Sequence, residues 1–444
     1  MPWIRLLLVV WCHVAAPASA QWTPDWIGEW QYESSPRSAS PAGVRVAEDG
    51  RSFALIDVGH DGQGHAAIAR FESDGAFAWL RERAGSFRMD ARLMQDGRIA
   101  VIDQFGDVRV RVYDADGAIA WEDHSQPGLL AAGPRRLAIG ADGGLLIPAI
   151  DGEDFVVIRY TPDGLALPAW RWSPGPENLQ ADDIVATADG GAVIAGGGDP
   201  QSGGVLVIRF AADGGVLFHD RELGHHGTTH GFEGLVRVEV DGNDEVIAAS
   251  ALENVVGVSQ AQLWKLAPDG TRRWTRALEN PGNPLMRVVP GGFALAADGD
   301  ALVATDFGLS GPLRVLRTDG QTGEPLAVGL APIEGWPTGL AQAPNGRLLV
   351  TGFDFIDSQG HVGLRIAEFD AQLRPCRVAN LETQYFAAAA EGGAHGWTLA
   401  AGTLFEGVSN DAHVLRYDAD GACTADALFT DGFERPDPTR RWPR

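Results

Sequence analysis

Short apolar runs separated by small polar turns dominate the chain. Ala67-Ile68-Ala69-Arg70-Phe71, Val156-Val157-Ile158-Arg159-Tyr160 and Val205-Leu206-Val207-Ile208-Arg209-Phe210 have strand character, and no long segment carries a 3.6-residue apolar stripe. The turns between such runs centre on Asp-Gly or a near equivalent. Asp-Gly between alternating apolar residues predicts a β-hairpin, here through a type I′ turn, which needs positive φ.

The turns march in two registers. Asp49-Gly50, Asp96-Gly97, Asp142-Gly143, Asp189-Gly190, Asp241-Gly242, Asp298-Gly299, Asn345-Gly346 and a degenerate Glu391-Gly392-Gly393 follow one another at gaps of 47, 46, 47, 52, 57, 47 and 46 residues. A second series interleaves with the first: Asp74-Gly75, Asp116-Gly117, Asp163-Gly164, Asp213-Gly214, Asp269-Gly270, Asp319-Gly320, Asp370-Ala371 and Asp420-Gly421. An aromatic often comes next, as at Trp79, Trp121, Trp170, Phe218 and Trp274. Two hairpins per unit give four antiparallel strands in roughly 48 residues. The expected fold is all-β, a β-propeller of about eight four-stranded blades, with seven blades and one degenerate unit as the alternative.

Residues 21–34 hold Trp22, Trp26, Trp30 and Tyr32 and resemble the aromatic strand that elsewhere follows the second turn. They are expected to complete the last blade, since an open ring would leave two exposed strand edges. The propeller then spans residues 21–428. Residues 429–444 turn polar and Pro/Arg-rich and read as a tail.

The repeated unit resembles the bacterial delta-60 and quinoprotein-like (PQQ-like) propeller repeats of exported proteins, over about residues 35–425. That resemblance implies an eight-bladed scaffold and says little about activity. It does not extend to the cofactor. Only Asp319-Gly320-Gln321-Thr322-Gly323 approaches the Asp-x-x-Thr-Gly-x-x-x-Trp signature of the quinoprotein dehydrogenases, and Ala327 stands where the Trp belongs. Leu428-Phe429-Thr430-Asp431-Gly432-Phe433-Glu434 resembles a short Asp-Gly-Phe-Glu motif at the C-termini of exported gammaproteobacterial proteins, which implies sorting or attachment.

Residues 1–20 read as a secretory signal peptide: Arg5, an apolar stretch, then Ala18-Ser19-Ala20 as a small-residue cleavage site. The apolar stretch is far short of the ~20 residues a membrane span needs. A secreted or periplasmic address follows. Cys12 leaves with the leader, so Cys376 and Cys423 are expected to form a disulfide in an oxidising compartment. Closing that loop is worth about 4 kcal/mol in the chain-entropy model.

The net charge of −24 over 444 residues argues against a nucleic-acid groove or an anionic-membrane patch, and leaves metal ions and basic partners open. Lys265 is the sole lysine. The loops between second and third strands are acidic at matched positions: Asp57, Asp103, Asp151, Asp306 and Asp354. Hard oxygen ligands converging on one rim are suited to Ca²⁺. His225, His226 and His230 form the one histidine cluster, in an enlarged connection between the fourth and fifth repeats. Their density suits Zn²⁺ with Glu222 or Glu233, although Gly227 and two threonines oppose the helix that known zinc motifs use. No catalytic motif stands out. The expectation is a non-enzymatic scaffold for a protein or polymeric partner. The alternative is a metal-assisted hydrolase or lyase on the acidic face.

Overall fold

The computed structural model describes residues 26–30, 38–60, 63–84, 87–104, 108–124, 137–152, 154–173, 180–197, 205–222, 225–226, 236–253, 259–278, 288–305, 312–355, 362–381, 385–393, 396–403 and 412–418. They form eight antiparallel sheets and, among these residues, no helix. Blade 1 lays Ser38–Val46, Ser52–His60, Gln63–Phe71 and Phe77–Ala84 side by side in that order. Blade 2 runs likewise from Phe87–Leu93 to Ile119–His124, blade 3 from Ala138–Ile139 to Ala166–Trp172, and blade 4 from Gln180–Ala186 to Val216–Glu222. Blade 5 ends on Arg272–Leu278; its strand Val246–Glu253 pairs with both Arg237–Val240 and the short His225–His226. Blade 6 runs from Val288–Leu295 to Pro325–Glu334 and blade 7 from Trp336–Gln342 to Pro375–Leu381.

The eighth blade is assembled from both ends of the chain. Tyr385–Gly393, Gly396–Thr403 and Ala412–Asp418 supply three strands, and Trp26–Trp30 supplies the fourth. Trp26 stands opposite Arg416 and Trp30 opposite Ala412, antiparallel throughout. The blade number is eight, not seven.

Packing explains why the strands read as continuous apolar runs. Each central strand buries both faces, one against each neighbouring blade. In blade 3, Leu145, Ile147 and Ala149 pack with Ala100, Ile102 and Val110 of blade 2, whereas Leu146 and Ile150 pack with Ala192 and Ile194 of blade 4. The same arrangement recurs around the ring. It includes the seam where Val414 of blade 8 meets Ala54, Ile56 and Ala67 of blade 1.

The hairpin turns differ from the expected type I′. Gly50 N–H donates to Ala47 O at 2.9 Å and Ala47 N–H to Arg51 O at 2.8 Å, and only the glycine of the pair has positive φ, 84°. This is a type I turn followed by a left-handed glycine bulge, which suits a three-residue loop. The aspartate has its own task, accepting the N–H two residues on: Asp74 Oδ1 from Ala76 at 2.9 Å, Asp116 Oδ1 from Ala118 at 3.0 Å.

Three of the dipeptide matches are out of register with the others. Asp241 and Asp370 open their turns, and the left-handed positions fall on Asp244 (φ 63°) and Leu373 (φ 61°). In the Asp319 turn it falls on Gly323 (φ 72°), not Gly320. Opening a turn, an aspartate can cap two N–H groups. Asp241 accepts from Asn243 and Glu245, and Asp370 from Gln372 and Arg374.

Candidate functional site

Alternation of the strands puts the first-to-second and third-to-fourth turns at one end of the ring, the turn end. The second-to-third loops and the blade-to-blade links lie at the other, the loop end. The expected acidic rim belongs to the loop end. Asp103 is buried there, with Oδ2 3.2 Å from Arg83 Nη1 on the outer strand of blade 1. Asp151 Oδ2 lies 2.5 Å from Arg171 Nη1, and Asp354 Oδ2 lies 3.5 Å from Arg365 Nη2. Asp57 sits on the second strand of blade 1 opposite Ala66. Asp306 lies outside the described residues. The structure thus gives each of the three described rim carboxylates its own guanidinium, and brings no three of them to a common point. Among the described residues, no group of three or more His, Cys, Asp or Glu side chains is placed to hold a metal ion.

His225 and His226 form a two-residue strand opposite Glu253 and Leu252; His230 lies outside the described residues. Cys376 is fully buried at the start of the outer strand of blade 7, and Cys423 lies outside the described residues.

Sequence reading overlooked a set of carboxylates on the inner strands. Asp90 of blade 2 is buried; its Oδ2 accepts Leu137 N–H of blade 3 at 2.9 Å, and its Oδ1 lies 2.5 Å from Arg45 Nη2 of blade 1. Asp183 of blade 4 likewise accepts Val238 N–H of blade 5 at 3.2 Å, and Glu391 of blade 8 accepts Val46 N–H of blade 1 at 3.1 Å. These bonds tie neighbouring blades at the channel side. Their signal was present: Asp90 and Asp183 each stand six residues ahead of a turn aspartate, Asp96 and Asp189.

The turn end carries a second repeated device. Near the end of the third strand, many blades place a cation that reaches into the next blade and in several cases also holds a turn of its own. Arg209 pairs with Asp189 of its own blade and Asp244 of blade 5. Lys265, fully buried, lies 2.7 Å from Asp241 Oδ2 and 2.8 Å from Glu245 Oε2, and donates to Gly320 O of blade 6 at 2.8 Å. Arg317 pairs with Asp298 and Asp300 and donates to Ala371 O of blade 7. Arg416 donates to Gly50 O across the closing seam at 2.9 Å. Outer-strand indoles do similar work: Trp79 Nε1–H donates to Ala115 O at 3.1 Å, Trp121 to Pro162 O at 3.0 Å, and Trp274 to Gly320 O at 3.3 Å.

At the seam of blades 3 and 4 these links are open. Arg159 has no carboxylate within ion-pair distance among the described residues. It folds back over Trp170, 4.2 Å from the ring centroid, and donates only a long bond to Pro168 O at 3.5 Å. Among the described residues, the indole Nε1 of buried Trp170 has no hydrogen-bond partner, and neither has Arg159 Nε, as is also true of Arg209 Nε. A cleft of about 430 Å³ occupies the space where the link would run. Leu145, Leu146, Leu167 and Tyr160 line it with Arg159, and the blade 4 turns close it with Asp189, Gly190 and Ala212. Asp142 lines it from the blade 3 turn.

Electrostatics at this cleft favour recognition over proton transfer. Burial lowers the Arg159 pKa, opposed by the charge of Asp142, but a guanidinium starts so high that it stays cationic. The Tyr160 phenol is pushed well above its ordinary value by burial and by its hydrogen bond to Asp123 Oδ2, so it is no base near neutrality. Asp189 is held below the usual carboxylate range by the Thr187 hydroxyl against the effect of burial, with help from Gly191 N–H and Arg209.

No protein-family model and no curated protein matches the chain. Solved structures match it in fold. The Dos1 propeller superposes with a TM-score of 0.52 at 11% identity, over 85% of this chain and 93% of that one. The β-propeller domain of the trilobed protease from Pyrococcus furiosus gives 0.44 at 11% identity, over 77% and 97%. A Bacteroides caccae protein of unknown function gives 0.36 at 18% identity, over 61% and 89%. At 11% identity the likeness to the Dos1 propeller is one of fold.

Proposed function

We propose that this chain is an exported, non-enzymatic propeller scaffold that binds a protein partner at its turn end, in the cleft between blades 3 and 4. One observation carries the reading. Arg159, which lines the cleft, makes no bond across its seam among the described residues, where Arg209, Lys265 and Arg317 each grip the next blade. A buried donor without an acceptor costs about 1–3 kcal/mol, and a partner's carboxylate or carbonyl oxygens recover that. The Asp142 and Asp189 carboxylates at the cleft favour a cationic group beside the acceptor. The net charge of −24 steers a basic partner toward the ring. The fitting segment therefore carries Lys or Arg next to Asp or Glu, on a partner that is basic overall.

Export rests on the leader-like residues 1–20, and an oxidising compartment supports a Cys376–Cys423 disulfide that ties blade 7 to the segment after blade 8. The delta-60 and quinoprotein-like character of the repeat fits eight blades with Asp-rich turns. Among the described residues no helix is long and apolar enough to cross a membrane.

Selection from a displayed library of random peptides tests the binding reading. Peptides retained by the wild type should be enriched in adjacent acidic and basic residues and should bind Arg159→Ala at least about tenfold more weakly, the equivalent of one lost charged contact. Peptides that bind both proteins equally would refute it.

A further inference from the structure

The outer strand of blade 6 differs from the other seven. Phe77–Ala84 carries Arg81, Glu82 and Arg83; Ile119–His124 carries Glu122 and Asp123; Ala166–Trp172 carries Arg171; Val216–Glu222 carries Asp220 and Arg221. Arg272–Leu278, Pro375–Leu381 and Trp26–Trp30 likewise hold Arg272, Arg377 and Glu29. Charges on an edge strand keep it from pairing with another edge. Pro325–Glu334 has no charge before its last residue, Glu334.

Its solvent face is apolar as well. Leu326, Val328 and Leu330 alternate along the strand with exposures of 53%, 52% and 49%. Gly329 and Ala331 point inward, Gly329 against Leu373 of blade 7. Pro325 and Pro332 lack N–H groups and bracket six residues that have them. The edge is therefore open to pairing over a defined window.

That window is its own complement. In an antiparallel pairing of two copies about Val328, Leu326 faces Leu330 of the second copy, Val328 faces Val328, and Ala327 faces Gly329. Every exposed apolar side chain then meets another on the same face, and no charge is buried. A two-fold axis through one residue is the geometry of an isologous dimer, and apolar cross-strand pairs are the unit that stabilises a sheet junction. We propose that the Pro325–Glu334 strand is the interface at which two copies of this chain pair edge to edge, continuing blade 6 of one protomer into blade 6 of its partner. The strip alone is narrower than the roughly 1,200 Å² of a stable interface, so the dimer is weak and concentration-dependent. It lies apart from the cleft at blades 3 and 4 and does not depend on the function proposed for it.

Sedimentation velocity of the full chain, from low micromolar toward millimolar concentration, tests this. The wild type should pass from one to two chain masses. Val328→Lys, which sets two ammonium groups face to face on the axis, should weaken association at least about tenfold without changing the melting temperature. Val328→Cys should give a covalent dimer on mild oxidation, whereas Ile119→Cys, on the exposed outer strand of blade 2, should not. A wild type that stays monomeric throughout, an unaltered dimer in Val328→Lys, or equal cross-linking through both cysteine variants would overturn the proposal.

Discussion

The indole of Trp79 lies directly over Gly117, so that a Cβ on the glycine would come within 2.8 Å of Trp79 Cδ2. Trp79 belongs to the outer strand of blade 1 and Gly117 to the second turn of blade 2. The contact recurs: Trp121 covers Gly164, Trp170 covers Gly214, Phe218 covers Gly270 and Trp274 covers Gly323. The glycine is needed twice over, for its positive φ and for the ring pressed against it. Between blades 6 and 7 the sizes are exchanged. Gly329 stands on the outer strand and Leu373 holds the left-handed turn position.

Gly117→Ala should therefore cost more than an alanine at a left-handed position that has room. At Gly97, φ 84°, the nearest atom to an added Cβ is 4.0 Å away. Gly97→Ala should destabilise by the backbone term alone, about 1 kcal/mol. Gly117→Ala should add an overpacking cost of about 1–3 kcal/mol. Urea denaturation of both variants checks the difference.

Lys265 should tolerate loss of its charge better than loss of its partner. Asp241→Asn leaves the buried ammonium with Glu245 as its remaining carboxylate, and should destabilise by about 1–3 kcal/mol. Lys265→Met removes the charge with its desolvation cost and should be near neutral once Asp241 is also made Asn. A double-mutant cycle read by thermal unfolding separates the two cases.

Stability should fall on acidification. Burial raises the Asp241 pKa, but the hydrogen bond from Lys265 and those from Glu245 and Asn243 N–H outweigh it and hold the carboxyl below its ordinary value. Asp96 is held down chiefly by the side-chain hydrogen bond of Arg98, and Asp189 by that of Thr187. A carboxyl with a depressed folded-state pKa contributes its full stabilisation above the unfolded value and loses it as pH falls through the folded one. Melting temperature should be flat above about pH 5 and drop below about pH 4, and Asp241→Asn should shrink that drop.

Calcium should have little effect on unfolding. Asp103, Asp151 and Asp354 already face Arg83, Arg171 and Arg365, so an incoming cation must displace a guanidinium. A true site at a thousandfold excess over its Kd would add about 4 kcal/mol. Melting in calcium and in chelator should agree within about 1 °C, well under the shift such a gain produces.

Much of the fold was legible because the features that build a blade are local. Apolar runs, a turn aspartate and a left-handed glycine lie within a dozen residues, and their recurrence counted the blades. The turn class was misread because Asp-Gly suits both a type I′ turn and a type I turn with a bulge, and the hydrogen bond from Gly50 N–H to Ala47 O decides between them. Gly242 and Gly320 misled for a similar reason, since a dipeptide does not say which turn position it fills. The site was far less legible. Whether Arg159 is clasped like Arg209 or left open depends on atoms in the next blade, and the two sit in nearly identical strands. Lys265 stands out in the sequence only as the sole lysine, and it takes its two carboxylates and the Gly320 carbonyl to place it inside a seam.

Photo-crosslinking at the cleft is the most direct test of the scaffold reading. A photoreactive amino acid in place of Ala212 lines the cleft, and a second protein carrying it in place of Asp154 samples the loop end. Expressed in the native host and irradiated in the exported fraction, the Ala212 probe should capture one protein of discrete mass, and adding Arg159→Ala should abolish the adduct. Capture at Asp154 but not at Ala212, or an Ala212 adduct indifferent to Arg159→Ala, would contradict it.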